Sequence, residues 1–211
     1  MLTLTNLHKS FAKELPVLDS VNWSFTPGET TGIFGLNGSG KTTLLRLLAH
    51  TYLPGRGKIT YHGEKLDKIK NYTSRVAFIN SETRNLYRRL TGAQNLAFFK
   101  TLFKLETADS QIKEWLEELG ILGAMSKQIS TYSMGMKQKL WVVIQLLRDS
   151  EILLLDEFTD HLDQQSINFF KNKIYQHQNF QQKTVVYASR RIDFTKEFAG
   201  RVLTLKDGQL V

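Results

Sequence analysis

The chain opens on Leu2-Thr3-Leu4-Thr5, where apolar and polar residues alternate, and the same pattern returns from Val21 to Phe25. Alternation of this kind buries one face of a strand and exposes the other, so both segments predict strands of a half-exposed sheet. Pro27-Gly28-Glu29 reads as a turn, and Thr31-Gly32-Ile33-Phe34 behind it as a short buried strand. Leu44, Leu45, Leu47 and Leu48 then recur at helical spacing. Strand and helix are joined by a glycine-rich loop. Pro54-Gly55-Arg56-Gly57 closes the helical region, and Lys58 to Tyr61 predicts another strand with a turn at His62-Gly63.

From Glu82 to Asp149 helical periodicity takes over. Leu96, Phe99 and Phe103 share one face, and Ile112, Trp115, Leu116 and Leu119 share another. A largely apolar strand returns at Glu151 to Leu155, closed by Asp156-Glu157, and a further one at Thr184 to Ala188. Leu203-Thr204-Leu205 and the turn Lys206-Asp207-Gly208 complete the pattern. The expectation is one α/β domain over residues 1–211, with a core and a small antiparallel β-subdomain in 1–81 and 150–211 and an α-helical subdomain inserted at 82–149.

Composition narrows this picture only a little. With 211 residues, 41% of them hydrophobic, the chain can bury a real core. No apolar run approaches the roughly 18 residues that span a bilayer, and Met1-Leu2-Thr3-Leu4 lacks the basic and apolar regions of a signal peptide. A cytoplasmic location is expected, with no sizeable further domain beyond Val211. The absence of cysteine removes disulfides, thiolate metal sites and cysteine nucleophiles, and the five histidines form no metal-ligand pair at helical spacing. A net charge of +8 suits nucleic acid, acidic lipid head groups, nucleotide phosphates or a merely solvated surface, and charge alone does not choose among them.

The loop does choose. Gly35-Leu36-Asn37-Gly38-Ser39-Gly40-Lys41-Thr42 fits the phosphate-loop pattern G-x-x-x-x-G-K-[ST], in which glycines let successive backbone N–H groups turn inward onto phosphate oxygens. The helix that follows adds unsatisfied N–H groups and a favourable dipole. Gly35, Asn37, Gly38, Ser39, Gly40, Lys41, Thr42 and Thr43 are the expected nucleotide contacts, with Lys41 reaching the β and γ phosphates of ATP and Thr42 placing its hydroxyl on Mg²⁺. Kinases, small GTPases, helicases and transporter ATPases all carry such a loop.

Ile152-Leu153-Leu154-Leu155-Asp156-Glu157 supplies what a P-loop protein uses next, a buried strand presenting an Asp to Mg²⁺. Glu157 beside it can polarise the attacking water as a general base. Just before the helical run Leu140 to Leu147 stands Tyr132-Ser133-Met134-Gly135-Met136-Lys137-Gln138, which resembles the signature motif of ABC ATPases. A Ser hydroxyl and a Gly N–H at a helix N-terminus form a second anion site. The order phosphate loop, helical insertion, signature, acidic strand is similar to ABC transporter nucleotide-binding subunits from Leu2 to Val211.

That resemblance implies a P-loop NTPase fold of the ABC ATPase type and ATP hydrolysis coupled to transport through integral membrane permease subunits. It implies ATP sandwiched in a homodimer, or in a heterodimer with another ABC ATPase, with Ser133, Met134 and Gly135 contacting the nucleotide of the other subunit. Asp163, in Asp160-His161-Leu162-Asp163, matches the loop that crosses the dimer interface. Phe11 lies where the family stacks an aromatic on adenine, though an aromatic near a sheet also serves as core. Asn85-Leu86-Tyr87-Arg88-Arg89-Leu90-Thr91-Gly92 with Gln94-Asn95-Leu96 looks like exporters. Permease contacts are expected near Ser81 to Leu90 and around Phe98, Phe99 and Phe103, residues that equally suit the subdomain's own core. The chain is expected to sit peripherally on the cytoplasmic face of the membrane, without nucleic acid as a partner.

The pattern breaks at two switch positions. Ser81 stands where the family has a Gln that touches Mg²⁺ and the attacking water, and it is too short to duplicate the amide. Arg190 replaces the switch His after Val185-Val186-Tyr187-Ala188. Arg can stabilise a γ-phosphate but cannot take up and return a proton near neutral pH, as imidazole does; as a neighbour of Arg191 it also suits a plain surface position. With Lys41, Thr42, Asp156 and Glu157 intact, the expectation is a site that binds Mg-ATP and hydrolyses it slowly. The alternative is a regulatory or heterodimer partner of a more complete ATPase.

Overall fold

The computed structural model describes residues 1–11, 16–81, 85–148, 150–176 and 183–211. Glu82 to Arg84 and Asp149, both within the expected helical segment, lie outside the described residues. The chain forms two compact units: residues 1–78, 150–157 and 179–211 make the first, and residues 79–149 and 158–178 the second.

In the first unit, β1 (Leu2–Lys9), β2 (Leu18–Phe25), β4 (Arg56–Tyr61) and β5 (Glu64–Lys65) form an antiparallel sheet in the order β2-β1-β4-β5. A second sheet runs β10-β9-β3-β8-β7-β6, from β3 (Thr30–Phe34), β6 (Val76–Asn80), β7 (Ile152–Asp156), β8 (Thr184–Ser189), β9 (Arg201–Lys206) and β10 (Gln209–Leu210). Its centre is parallel: β3 pairs with β8 and with β9, and β7 with β8. β7 and β8 are buried along their whole length, as the near-continuous apolar reading of parallel strands requires. Helix α1 (Lys41–Leu48) buries its leucines in one cluster with Leu2, Leu4 and Phe25 from the antiparallel sheet and Ile152, Leu154 and Val186 from the parallel one.

β1 is longer than its alternation predicts. Leu2, Leu4 and Leu7 are all buried although the last breaks the period of two, because Asn6 takes a left-handed backbone (φ 46°) where the pairing with β2 shifts register. A β-bulge adds one residue and turns the next side chain back to the core face. Glu151, at the start of β7's chain segment, accepts the Tyr61 hydroxyl at 2.7 Å and pairs with Arg75, tying β4 to the parallel sheet's approach.

The second unit is helical, with α2 (Gly92–Phe103), α3 (Asp109–Glu118), α4 (Met134–Leu146) and α5 (Gln164–Gln176). Thr91 opens α2 with a capping box in which its hydroxyl accepts from Gln94 and Gln94 reaches back to the Thr91 N–H. Ile112, Trp115, Leu116 and Leu119 are buried together, as their spacing predicts, whereas on α2 Phe99 is buried and Phe98 is exposed. Residues 158–178, placed with the ATP-binding core on sequence, cluster with these helices, because α5 packs on α4. The last helix, α6 (Ile192–Phe198), returns to the first unit and covers β3 and β8.

Candidate functional site

Parallel β3 delivers the chain into the loop 35–40, and Gly40, at φ 100°, starts α1 with no side-chain cap. Only glycine suits this position: a Cβ would meet the Val17 Cγ1 at 2.9 Å and its carbonyl at 3.0 Å in addition to the left-handed strain. A Cβ on Gly35 would strike the Ser39 hydroxyl at 2.5 Å. Asn37 and Gly38 are exposed at the tip, Thr42 is exposed and Thr43 half-buried in the first turn of α1. Lys41 is buried and folds back across the loop, its Nζ donating to the carbonyls of Gly35 at 2.8 Å and Leu36 at 3.2 Å. A cleft of about 660 Å³ opens beside the loop, between residues 35–39, Pro16-Val17 and the β9–β10 turn at Lys206 to Gly208. That volume falls within the range of small-molecule sites.

β7 ends on the two carboxylates. Asp156 is 5% exposed, and burial, the largest cause, pushes its carboxyl above the usual carboxylate range against the opposing pull of a hydrogen bond from Thr42. Its Oδ1 is buried and has no hydrogen-bond partner among the described residues. A buried carboxylate oxygen left orphaned, beside a Thr hydroxyl, is a hard oxygen pair of the kind Mg²⁺ takes together with phosphate and water. The residues therefore fit the ion. Ser39 Oγ, in the loop itself, is also buried without a hydrogen-bond partner among the described residues.

Glu157 occupies left-handed backbone at φ 48°, a conformation costing of order 1–3 kcal/mol for a residue with a Cβ and kept only where the surroundings impose it. Its N–H donates to the Ala188 carbonyl at 3.0 Å. Its Oε1 accepts the backbone N–H of Arg190 at 2.9 Å and lies 3.6 Å from the Lys41 Nζ, and its Oε2 accepts the Ser189 hydroxyl at 3.2 Å. Lys41, Asp156, Glu157 and the end of β8 thus converge within one unit. Arg190 enters through its main chain, a contribution that residue identity does not disclose.

Phe11, 42% exposed, meets the Tyr52 ring edge-on at 5.6 Å between centroids, and the Lys9 Nζ stands 5.1 Å from the Phe11 centroid. Phe11 thus stays partly exposed, with the Lys9 ammonium over its ring, rather than joining the core.

The signature residues belong to the second unit. Ser133 is the N-cap of α4, its hydroxyl accepting the Met136 N–H at 3.1 Å, and Met134 beside it is exposed. Gly135 is packed against the following loop so closely that a Cβ would sit 2.7 Å from the His161 carbonyl. Asp163 caps α5: its Oδ1 accepts the Ser166 N–H and hydroxyl, each at 2.8 Å, and its Oδ2 meets Lys139 of α4 at 2.7 Å. The Lys139 hydrogen bond, ahead of those from Ser166, lowers its pKa to about 2.

Two side chains in this unit escaped sequence reasoning. Gln138 is fully buried and donates through Nε2 to the Asn80 carbonyl at 3.1 Å and the Phe158 carbonyl at 3.0 Å. It therefore pins the residue before half-buried Ser81 and the residue after Glu157 to the signature helix. Asn95, also fully buried, accepts the Tyr87 N–H at 2.8 Å and donates to the Tyr87 and Thr91 carbonyls at 3.1 Å and 3.0 Å. It holds the turn before α2, where Tyr87 and Phe98 stack edge-on at 4.9 Å and both remain exposed. Phe99 instead packs on Trp141 at 5.4 Å. Gln138 lay within the quoted signature and Asn95 within the quoted run, but a single amide in a helix carries no periodic signal.

A phosphate loop leading from a central parallel strand, beside a buried strand that ends in two carboxylates, defines a P-loop nucleoside triphosphatase. The ABC transporter family model matches residues 18–160, and the chain belongs to that family. It is 30% identical over its whole length to the ABC transporter ATP-binding protein NatA of Bacillus subtilis, of which it covers 88%. It is 26% identical, again over its whole length, to the phosphonates import ATP-binding protein PhnC of Treponema denticola, covering 88% of that protein. The dimeric structure of the bacterial ABC transporter cassette MJ0796 superposes with a TM-score of 0.84 at 23% identity, covering all of this chain and 96% of that one. The α/β fold with its antiparallel and helical parts is that of the ABC ATPases. The chain is the ATP-binding subunit of an ABC transporter, an ATPase whose hydrolysis is coupled to transport.

Proposed function

We propose that ATP binds with its phosphates on Gly35 to Thr43 and its adenine on Phe11, and that Glu157 accepts a proton from the attacking water. The observation that carries this is the 3.6 Å approach of the Lys41 Nζ to the Glu157 carboxylate, in one unit with Asp156 and the loop. Lys41 and the loop N–H groups bind and orient the β and γ phosphates. Thr42, the orphaned oxygen of Asp156 and Ser81 would hold Mg²⁺, which would supply charge neutralisation at the phosphate oxygens. The water oxygen attacks the γ phosphorus, the bond to the β-phosphate oxygen breaks to release ADP, and the water's proton passes to Glu157. Arg190 supports the γ-phosphate charge without shuttling a proton, which makes turnover slow.

The site is completed in a dimer. Ser133, Met134 and Gly135 close over the γ-phosphate of the opposite subunit, and Asp163 lies at that interface. The exposed pair Tyr87 and Phe98, held by Asn95, receives an integral membrane permease on the cytoplasmic face, where the chain sits peripherally. Among the described residues no helix is long and apolar enough to cross a membrane. Export is our reading of the run Asn85 to Leu96, set against a relative whose name marks it as an import protein.

ATP-dependent association tests the reading. A Glu157→Gln chain with Mg-ATP should sediment as a dimer, and Ser133→Arg in the same background should keep it monomeric. A second reading, in which this chain regulates a more complete homologue, is favoured by Ser81 and Arg190; it predicts association with that homologue and none with itself.

A further inference from the structure

Glu157 is held by three consecutive residues at the end of β8. The Ala188 carbonyl fixes its main chain, the Arg190 N–H takes Oε1 and the Ser189 hydroxyl takes Oε2. Ser189 is 1% exposed, and its Oγ also accepts the Arg191 N–H at 3.1 Å. A hydroxyl carries one proton. With the Arg191 N–H directed at a lone pair of Oγ, the proton is left to point at Glu157, so the hydroxyl is set as a donor by a bond on its far side.

We propose that Ser189 is a positioning residue for ATP hydrolysis, orienting the Glu157 carboxylate toward the attacking water. The inference rests on the reading of Glu157 as the proton acceptor. With Oε2 occupied by the hydroxyl, the bond to the Arg190 N–H and the approach to Lys41 share Oε1, and the plane of the carboxylate is determined. Without the Ser189 bond the carboxylate can rotate about its last torsion, a broad and soft one. A misdirected base slows the chemical step and leaves nucleotide binding alone: the Ser189 main-chain carbonyl accepts the Gly35 N–H of the phosphate loop at 3.3 Å whatever the side chain, whereas the described bonds of the hydroxyl go to Glu157 and the Arg191 N–H.

Steady-state turnover and ATP binding of purified Ser189→Ala and Ser189→Thr test this. Ser189→Ala should lower kcat about tenfold, the effect of roughly 1.4 kcal/mol on the barrier, with the KM for ATP within about twofold of wild type. Ser189→Thr, which keeps the hydroxyl, should restore most of kcat. Adding Ser189→Ala to Glu157→Gln should cost nothing further. Should Ser189→Ala fail to bind ATP, the near-isosteric Thr and Val variants repeat the comparison, differing only in the hydroxyl. Equal kcat in Ala and wild type, or in Val and Thr, overturns the inference while Glu157→Gln is inactive. Glu157→Gln turning over at the wild-type rate overturns the underlying reading instead.

Discussion

Lys41 and Glu157 stand 3.6 Å apart, nitrogen to carboxylate oxygen, although 116 positions separate them in the chain, 157 minus 41. Parallel pairing explains the approach. β3 and β7 are both neighbours of β8, so the loop that follows β3 and the carboxylates that end β7 emerge at the same edge of the sheet. The ammonium of Lys41 also donates to the Gly35 and Leu36 carbonyls, which makes it a brace for the loop as well as the proposed phosphate ligand. Lys41→Met should therefore weaken ATP binding by about a hundredfold, near 2.7 kcal/mol, in calorimetric titration. A Kd within threefold of wild type would place the phosphate elsewhere.

Asp156 gives a pH dependence with a definite sign. Its pKa is raised by burial, so the folded state takes up a proton at a higher pH than the unfolded chain does. The ionised form costs stability above the folded pKa, and that cost disappears as the pH falls through it. Two outcomes follow: Asp156→Asn should raise the melting temperature at pH 7, and it should abolish the Mg²⁺ dependence of ATP binding. In wild type, Mg²⁺-dependent affinity should fall on acidification at a higher pH than an exposed carboxylate requires. Calorimetry from about pH 4.5 to about pH 7.5, an interval that lies above the ordinary carboxylate value of about 3.9, measures both.

Asp163 behaves oppositely. Its folded pKa, about 2, lies below the unfolded value, so its stabilisation is present above the unfolded pKa and lost as the pH falls through the folded one. The ion pair with Lys139 is solvent-exposed on the Asp side and contributes little by itself; the N-cap bond to Ser166 contributes more. Asp163→Ala should cost about 1 kcal/mol at pH 7 in denaturant unfolding, and Asp163→Ser should recover most of it. Equal stability of all three chains would contradict the capping role.

Much of this architecture can be read from residue order. The phosphate loop is legible because its glycines answer a backbone requirement, and β7 because four apolar residues running into two carboxylates suit no exposed strand. β1 beyond Thr5 is not legible, since the bulge at Asn6 resets the alternation. Ser189 and Gln138 are illegible for a different reason. Each acts through one polar group whose partners are distant in sequence, 32 positions for Glu157 and 58 for Asn80, and nothing local records such a bond.

Gln138 offers a stability test of that kind. Gln138→Leu keeps the volume but leaves the Asn80 and Phe158 carbonyls without their donor, a loss of about 1–3 kcal/mol. Thermal unfolding should show it, and Gln138→Met should do no better, because the amide rather than the packing is what is missing. Full stability in either variant would contradict the bridging role.

The proposed role of Arg190 bears on rate. Arg190→His keeps the backbone N–H that binds Glu157 and adds a group that titrates near neutral pH. Turnover should rise several-fold over wild type with unchanged ATP affinity. Equal turnover in the two chains would remove the argument for slow hydrolysis.

Phosphate release from Mg-ATP by the purified wild-type chain, compared with Glu157→Gln under identical conditions, decides whether Glu157 drives hydrolysis at this site. Slow but measurable release by the wild type, reduced at least a hundredfold by the single substitution, is the predicted result. Equal release by the two proteins, or none by the wild type under conditions where ATP is bound, would contradict it.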